Sequence, residues 1–285
     1  MDNSITWLFG IEKYFHFIQD PDKKEFIRGI INLKYSDGPS KPWALKKLIS
    51  LDFEKYTDDR REDRLNFYTN VCSLDKITTE ETILTLQSIW PNDVLTNKLF
   101  KIVELGRSDI LTTIFSKSQV LSKIWMAEIL EKFDTKFDNI LLIGGWLTHH
   151  SWFIKDINYS NLYSIDPDSD INNLIEIINP TAFIVNKEIN DCFDSDNNLL
   201  FYNKILEPDL VINTSSEHMS TEWFDKLKPG TRVFIENNDD FETDGHINCS
   251  ENFPDFLRKF PMTKILYRGE LTLQKYKRYA LYGVK

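Results

Sequence analysis

The chain has 285 residues, of which 41% are hydrophobic, so it is long enough for one large domain or two smaller ones with a packed core. Its formal net charge of -10 and its pI of about 5.1 argue against broad, sequence-independent nucleic-acid binding, which requires a basic face. No segment reaches the roughly 18 uninterrupted apolar residues of a membrane span, and the amino terminus lacks a signal-peptide pattern.

The cysteine and histidine spacing predicts no metal site. Cys72, Cys192 and Cys249 are widely separated and odd in number, so neither a disulfide framework nor a zinc knuckle is indicated, and a reduced, cytoplasmic setting is expected. The adjacent His149 and His150 would point apart on a helix, which predicts a structural role rather than a shared metal ion. The phosphate-binding loop of ATPases and kinases is also missing from the sequence.

Residues 1 to 115 are predicted to form a helical region. Apolar residues at helical spacing predict helices at 8–18, 45–53 and 61–71. A further helix is expected to begin at Pro91 and to end before Gly106, because proline suits the first turn and glycine commonly follows the last.

The segment from Ser118 to Phe133 is predicted to be a helix capped by Ser118. Four residues at helical spacing are expected to form its buried stripe: Leu121, Ile124, Trp125 and Ile129. Ser122 and Lys123 either face a bound ligand or lie on a solvated side, and the solvated side is favoured.

From residue 139 onward, predicted strands alternate with helices. Strands are expected at 139–144, 161–166, 181–185, 210–213 and 231–236, and helices at 169–178 and 221–227, the second capped by Ser220. This alternation predicts a parallel sheet with helices on both faces, whose ligands bind at the carboxyl ends of the strands. The segments 264–273 and 276–284 are predicted to form an antiparallel hairpin. Its Lys and Arg residues either protect a sheet edge from pairing or form a basic rim for an anionic substrate.

The stretch from Asn139 to Asp168 carries the strongest chemical signal. An apolar strand breaks at Gly144 and Gly145, passes through a segment able to be helical, and returns to a second strand that ends at Asp166. Glycines let the backbone approach a ligand, and a carboxylate about 20 positions later can accept hydrogen bonds from ribose hydroxyls. This unit predicts a site for a nucleoside-bearing cofactor.

The order of these elements resembles that of the class I S-adenosylmethionine-dependent methyltransferases, over about residues 118 to 285. Three stretches carry the resemblance: Leu141–Trp146 is similar to a short glycine-rich first motif, Tyr163–Asp168 to the second strand with its acid, and Leu227–Val233 to the L-K-P-G turn before the fifth strand. The arrangement is also similar to that of small methyltransferases carried by bacteriophages. The resemblance implies a Rossmann-like α/β fold with a cofactor-binding domain at 116–285. Residues 1–115 then form either a cap that completes the fold or a substrate-selecting lobe.

The resemblance implies S-adenosyl-L-methionine as the cofactor. The backbone of Gly144 and Gly145 would lie along its methionine part, and Asp166 would bind its ribose. The further cofactor-binding candidates are Trp146, Asp168, Asn186 and Asn213. Trp146 stands where the family often has a small residue, so its ring is expected to turn away from the cofactor or to pack beside it. The sequence from Asn213 differs from the N/D-P-P-Y/F motif of many nucleic-acid amino methyltransferases, which disfavours DNA base methylation.

Glu217 and His218 are the predicted catalytic residues, because they follow the fourth strand at the expected ligand edge. His218 can act as a general base near neutral pH. The alternative is that the two residues only cap the next helix or hold the loop. His246 and the polar residues 236–238 either line the acceptor pocket or belong to a solvated loop.

The function predicted from the sequence is methyl transfer from S-adenosylmethionine to an unidentified acceptor, which is a small molecule, a protein or RNA. Two alternatives remain open. One is an NAD(P)-dependent oxidoreductase, whose sheet would normally lack the terminal hairpin. The other is a catalytically silent binding protein on a methyltransferase-like fold, since fold alone does not establish activity.

Overall fold

The computed structural model describes residues 94 to 285 except 115–116, 134–135, 155–156 and 274, together with scattered residues between 50 and 92. The chain divides into two compact units, Met1–Leu121 and Ser122–Lys285. The helices expected at 8–18, 45–53 and 61–71 lie wholly or largely outside the described residues. No described helix has both the length and the apolar character needed to cross a membrane.

In the described part of the first unit, helix α1 (Val94–Glu104) is followed by helix α2 (Ser108–Ile114). Gly106 adopts a φ of 72°, and its N–H donates to the carbonyl of Val103 at 2.8 Å. A left-handed glycine just after the last turn is a common helix end, because it brings backbone N–H groups to the last free carbonyls. The expected helix end before Gly106 is confirmed.

The predicted helix at Ser118–Phe133 is present as α3, which spans Lys117–Phe133, but it buries a different face. Among its described side chains, the buried ones are Ser122, Lys123, Met126, Ala127, Ile129 and Leu130, while Leu121, Ile124 and Trp125 are only half-buried. The favoured solvated position of Ser122 and Lys123 is therefore wrong, since both are buried and donate to Glu236 and Thr214, respectively. Ser118 is not the cap, because the helix already begins one residue earlier.

Strands β1 to β9 follow in chain order as Lys136–Ile143, Asn158–Ile165, Phe183–Val185, Leu200–Phe201, Lys204–Ile205, Leu210–Asn213, Arg232–Asn238, Lys264–Thr272 and Lys277–Val284. Among the described residues, seven of these form one sheet in the order β3-β2-β1-β6-β7-β9-β8, and β4 and β5 pair separately. In this sheet, the adjacent strands β3, β2, β1, β6 and β7 run parallel to one another, whereas β9 runs antiparallel to both β7 and β8. The predicted Rossmann-like sheet with a carboxyl-terminal antiparallel hairpin is confirmed.

Among the described residues, three helices connect these strands; the first two are shorter than predicted, and the third was not predicted. They are α4 (Asn172–Ile178), α5 (Glu222–Lys226) and α6 (Phe253–Lys259), with 3-10 turns at His149–Trp152, Ile189–Cys192 and Ser216–His218. The segment after the glycine turn is thus a single 3-10 turn. Ser220 does not cap α5, because Thr221 occupies the cap position and the Ser220 hydroxyl accepts a hydrogen bond from Asn190 instead.

The strand register places the predicted site residues along one edge of the sheet. Ile143 of β1 is aligned with Ile165 of β2 and with Asn213 of β6, and Asn213 is aligned with Ile235 of β7. Because these strands are parallel, the residues that come next in each strand lie in one row at the carboxyl edge. That row contains Gly144, Asp166, Thr214 and Glu236.

Candidate cofactor and active site

The glycine turn after β1 is hydrogen-bonded to the end of β2. Gly144 adopts a φ of 62°, and its N–H donates to the carbonyl of Ile165 at 2.9 Å. Trp146 and Thr148 are also left-handed, with φ of 43° and 55°, and the N–H of Trp146 donates to Asp166 Oδ2 at 2.7 Å. Left-handed backbone is costly for bulky residues, so this turn depends on the bonds around it.

The packing of the chain itself requires a glycine at 145, and the left-handed backbone favours one at 144. A Cβ at Gly145 would overlap the Ser164 hydroxyl and lie 2.8 Å from Leu142 Cβ, and one at Gly144 would lie 3.2 Å from Met219 Cε. The Gly144–Gly145 pair is therefore explained by strand packing and by the positive φ of Gly144, before any ligand is considered.

Asp166 connects this turn to the loop that follows β2. Its side chain is 7% exposed, and its Oδ1 and Oδ2 accept from the N–H groups of Asp168 and Trp146 at 3.0 and 2.7 Å. Burial raises the pKa of Asp166, and the two backbone hydrogen bonds oppose that shift. Each carboxylate oxygen has two lone pairs and uses one, so Asp166 can still accept two hydroxyl hydrogen bonds.

The other predicted cofactor residues hold the surrounding loops. Asn186 donates to the carbonyls of Asp166 and Asp168 at 3.3 and 3.0 Å. Asn213 is fully buried, and its Oδ1 accepts from the N–H of Ser215 at 2.9 Å. The half-buried ring of Trp146 meets the ring of His149 edge-on, with centroids 6.4 Å apart. Cofactor contact by these residues stays a prediction.

A buried ionic network lies next to the Asp166 site along the same edge. Arg278 of β9 is 3% exposed, and its Nη1 donates to Glu236 Oε2 and to the carbonyl of Thr214, each at 3.0 Å. Its Nη2 donates to Glu217 Oε1 at 3.3 Å. The Ser122 hydroxyl of α3 also donates to Glu236. Burial lowers the pKa of Arg278, but the two carboxylates outweigh it, so the guanidinium stays charged between them.

Lys123 adds a second buried cation to this network. Its Nζ donates to the Thr214 hydroxyl at 2.9 Å, and that hydroxyl also lies 2.9 Å from His150 Nε2. Burial lowers the pKa of Lys123 to about 8, opposed by Glu236 and assisted by Arg278. Burial also moves the pKa of His150 well below its usual value, so the ring is neutral and can accept the threonine hydrogen.

Several buried polar atoms near this edge have no hydrogen-bond partner within the described part of the chain. They are Thr148 Oγ1, both ring nitrogens of His149, His150 Nδ1, Glu217 Oε2 and Glu236 Oε1. Such atoms cost free energy unless they are paired, so we expect water or a polar ligand to bind them. This edge therefore has the hydrogen-bonding capacity of a polar ligand site.

The two predicted catalytic residues occupy different environments. Glu217 is 2% exposed, and Asn238 donates to its Oε1 at 2.7 Å. His218 is exposed, its Nδ1 lies 3.2 Å from the carbonyl of Gly245, and its ring centroid lies 4.6 Å from that of His246. The structure thus brings His246 beside His218, while Glu217 belongs to the buried network.

Ser122 and Lys123 were expected on a solvated helix face rather than toward a ligand, and Arg278 was not predicted as a site residue. No motif marks them, and their side-chain hydrogen bonds to Glu236, Thr214 and Glu217 join segments that are distant in sequence. One signal was available in the hairpin, where Arg278 precedes the apolar run Tyr279–Leu281. An arginine inside an apolar strand is expected to have a buried carboxylate partner.

A separate small pocket of about 50 Å³ lies at the opposite edge, lined by residues that include Phe193, Leu206, Pro208, Lys226 and Thr231. Pro208 and Thr231 come just before β6 and β7 begin, which places this pocket at the amino edge of the sheet. Ligands of parallel sheets bind at the other edge, where the polar network lies.

No protein-family model matches the sequence, and no curated protein matches it. Among solved structures, the chain is similar to the N-methyltransferase NodS from Bradyrhizobium japonicum with S-adenosyl-l-homocysteine, at 11% identity and a TM-score of 0.44, over 58% of this chain and 87% of that one. It is also similar to the C-terminal domain of precorrin-6Y C5,15-methyltransferase from Rhodobacter capsulatus, at 14% identity and a TM-score of 0.39, over 59% and 90% of the two chains. A TehB-like SAM-dependent methyltransferase from Corynebacterium glutamicum is similar at 11% identity and a TM-score of 0.39, over 57% and 88%. Identities this low leave the chemistry of this chain to be inferred from its own residues.

Proposed function

We propose that this protein transfers a methyl group from S-adenosylmethionine to an acceptor that is not yet identified. The observation that carries the proposal is the Asp166 carboxylate, which is bonded to the glycine turn at the carboxyl edge of the sheet. It retains one lone pair on each oxygen, which matches the two adjacent hydroxyls of a ribose. The parallel sheet with its antiparallel terminal hairpin supports the same proposal.

The residues of this edge are compatible with the cofactor. Asp166 would accept from its ribose hydroxyls, and the backbone of Gly144 and Gly145 would lie beside its methionine part. Asp168 and Asn186 would complete the nucleoside side. The cofactor would supply a methyl group already activated on a sulfonium, so the protein mainly has to orient the acceptor and remove its proton where required.

Glu217 and His218 are the candidates on the acceptor side. Glu217 is already held by Arg278 and Asn238, which leaves His218 as the candidate general base. The Nδ1 of His218 faces a carbonyl oxygen, which can only accept, so the lone pair that can take a proton lies on Nε2.

The first test is calorimetric titration with S-adenosylhomocysteine and, separately, with NAD. We expect Asp166→Asn to weaken binding of S-adenosylhomocysteine by about 1–3 kcal/mol, because the amide nitrogen cannot accept a hydroxyl hydrogen bond. Asp209→Asn is a matched control, since Asp209 Oδ2 also accepts two backbone N–H bonds, from Asp138 and Asn139, at the amino edge of the sheet.

Unchanged affinity in Asp166→Asn would remove this residue from the cofactor site. Binding of NAD without binding of S-adenosylhomocysteine would replace the proposal with an oxidoreductase. Cofactor binding without transfer of a labelled methyl group to any member of a broad acceptor panel would instead support a silent binding protein.

A further inference from the structure

We propose that Glu217, His218 and His246 bind a divalent metal ion of the Zn²⁺ type. A ring nitrogen from each histidine and a carboxylate oxygen of Glu217 all lie within 4.8 Å of one another. Two imidazole nitrogens and one carboxylate are a ligand set of zinc sites that keep a further coordination position open. His218 is exposed and His246 is half-buried, so an ion can enter from solvent.

Both histidine rings are held in the form that a metal ion needs. The Nδ1 of His218 lies 3.2 Å from the carbonyl oxygen of Gly245, and the Nδ1 of His246 lies 2.6 Å from that of Asp240. A carbonyl oxygen can only accept, so these contacts assign the proton to Nδ1 and the lone pair to Nε2. Metal-binding histidines commonly donate their other N–H to a backbone carbonyl in this way.

The carboxylate of Glu217 has one oxygen available for a cation. Its Oε1 accepts from Asn238 at 2.7 Å and from Arg278 at 3.3 Å. Its Oε2 has no partner within the described part of the chain, although the residue is only 2% exposed. A buried carboxylate oxygen without a partner is costly, and a bound cation would remove that cost.

Backbone hydrogen bonds tie the two parts of the site together. The N–H groups of Ile247 and Asn248 both donate to the carbonyl of Glu217 at 2.9 Å, which fixes the loop carrying His246 beside Glu217. Ligands at about 2.0–2.1 Å from a tetrahedral zinc ion lie roughly 3.4 Å apart. The ligand atoms therefore need to approach by at most about 1.4 Å, which the exposed side chain of His218 can supply.

Metal binding would change the role of His218. The ion would use the Nε2 lone pair that a general base needs, so the metal-loaded protein would not use His218 to remove a proton. Metal binding at this site does not depend on the proposed methyl transfer, because the ligands and their hydrogen bonds are in place without the cofactor.

The full chain, stripped with a chelator and dialysed, should be titrated with Zn²⁺ and with Mg²⁺ by calorimetry, and the bound zinc counted by elemental analysis. We expect one zinc ion per chain and no heat with Mg²⁺, which prefers oxygen ligands. His218→Gln, His246→Gln and Glu217→Gln should each weaken zinc binding by about tenfold or more.

Two matched controls separate this site from other zinc ligands. His149→Gln removes a buried histidine outside the cluster, and Cys192→Ser removes a buried thiol whose Sγ donates to the carbonyl of Glu188, so both should retain the wild-type zinc affinity. Cys249→Ser tests the thiol beside the cluster, because its Sγ lies 3.5 Å from His246 Nδ1. The proposal is overturned if the wild-type chain does not bind zinc, if His218→Gln binds it unchanged, or if only Cys249→Ser loses it. His218 is exposed, so its variant remains a test even where Glu217→Gln fails to fold. Titration of the same samples with S-adenosylhomocysteine distinguishes failure of the metal site from failure of the proposed function.

Discussion

At the scale of single residues, Lys123 is the group whose burial has the clearest energetic consequence. It is 2% exposed and donates to Thr214, with Glu236, Glu217 and Arg278 as its charged neighbours. Its pKa falls from 10.5 to about 8 because burial penalises the charged ammonium. The ammonium is therefore retained at neutral pH at a cost in stability, in a position suited to orient polar groups at the sheet edge.

We expect Lys123→Met to change how stability depends on pH. Below about pH 8 the lysine is charged in both states, and its burial costs the wild type about 3 kcal/mol. Between pH 8 and 10.5 the unfolded chain binds the proton more strongly, so the free energy of unfolding of the wild type rises relative to that of the variant. Urea unfolding of both proteins at a series of pH values measures this difference. Parallel pH profiles would show that the Lys123 pKa is not lowered.

At the scale of elements, the glycine turn and its neighbouring strand form one packed unit. Gly145 is buried, and the nearest atom to its missing Cβ is the Ser164 hydroxyl of β2, which has no hydrogen-bond partner among the described residues. The close approach of the turn to β2 is what brings Trp146 N–H onto Asp166. The geometry of the proposed cofactor site thus depends on Gly145 having no Cβ.

Gly145→Ala is expected to lower the free energy of unfolding by about 1–3 kcal/mol, because the added Cβ overpacks the space next to Ser164 and Leu142. Adding Ser164→Ala should recover part of this loss by removing the overlapping oxygen. Ser164→Ala alone is the control and should have little effect, since it deletes an unpaired hydroxyl. The four proteins form a double-mutant cycle by urea unfolding, and additive effects would contradict the overlap.

At the scale of the second compact unit, Arg278 connects four parts of the fold. It lies on β9, and it bonds to Ser122 of α3, Thr214 and Glu217 after β6, and Glu236 of β7. A charge buried in this way is strongly coupled to its partners, because removing it leaves two carboxylates uncompensated. The network therefore holds helix, loop and hairpin in one arrangement around the candidate site.

Arg278→Met is expected to cost about 3–5 kcal/mol of unfolding free energy, and less when Glu236→Gln is already present. Lys277→Met is the matched control, because the neighbouring Lys277 makes an exposed ion pair with Glu270 at 3.3 Å. Exposed pairs contribute about 0–1 kcal/mol, so this variant should unfold close to the wild type. Equal losses in the two variants, measured by urea unfolding, would contradict a buried network.

The sequence alone determined the five parallel strands of the sheet, their alternation with helices, and the terminal hairpin, but it did not predict the short strands β4 and β5 or helix α6. β6 was predicted with both ends correct, and the break at Gly144 and Gly145 was predicted because apolar runs, prolines and glycines act on the local backbone. The position of Asp166 directly after β2 was predicted for the same reason, because the end of a strand is a local feature of the chain, whereas its contact with a ribose stays a prediction.

Only the tertiary structure decided which charges are buried and which groups meet. Ser122 bonds to Glu236 and Arg278 bonds to Glu217 across long sequence separations, and His246 reaches His218 only because its loop folds back onto Glu217. The buried face of α3 was mispredicted because helical spacing shows that a stripe exists, whereas the partner that packs against the helix decides which residues are in it. Local preferences act between neighbours in the chain, but a buried charge is stable only where a distant segment supplies its partner.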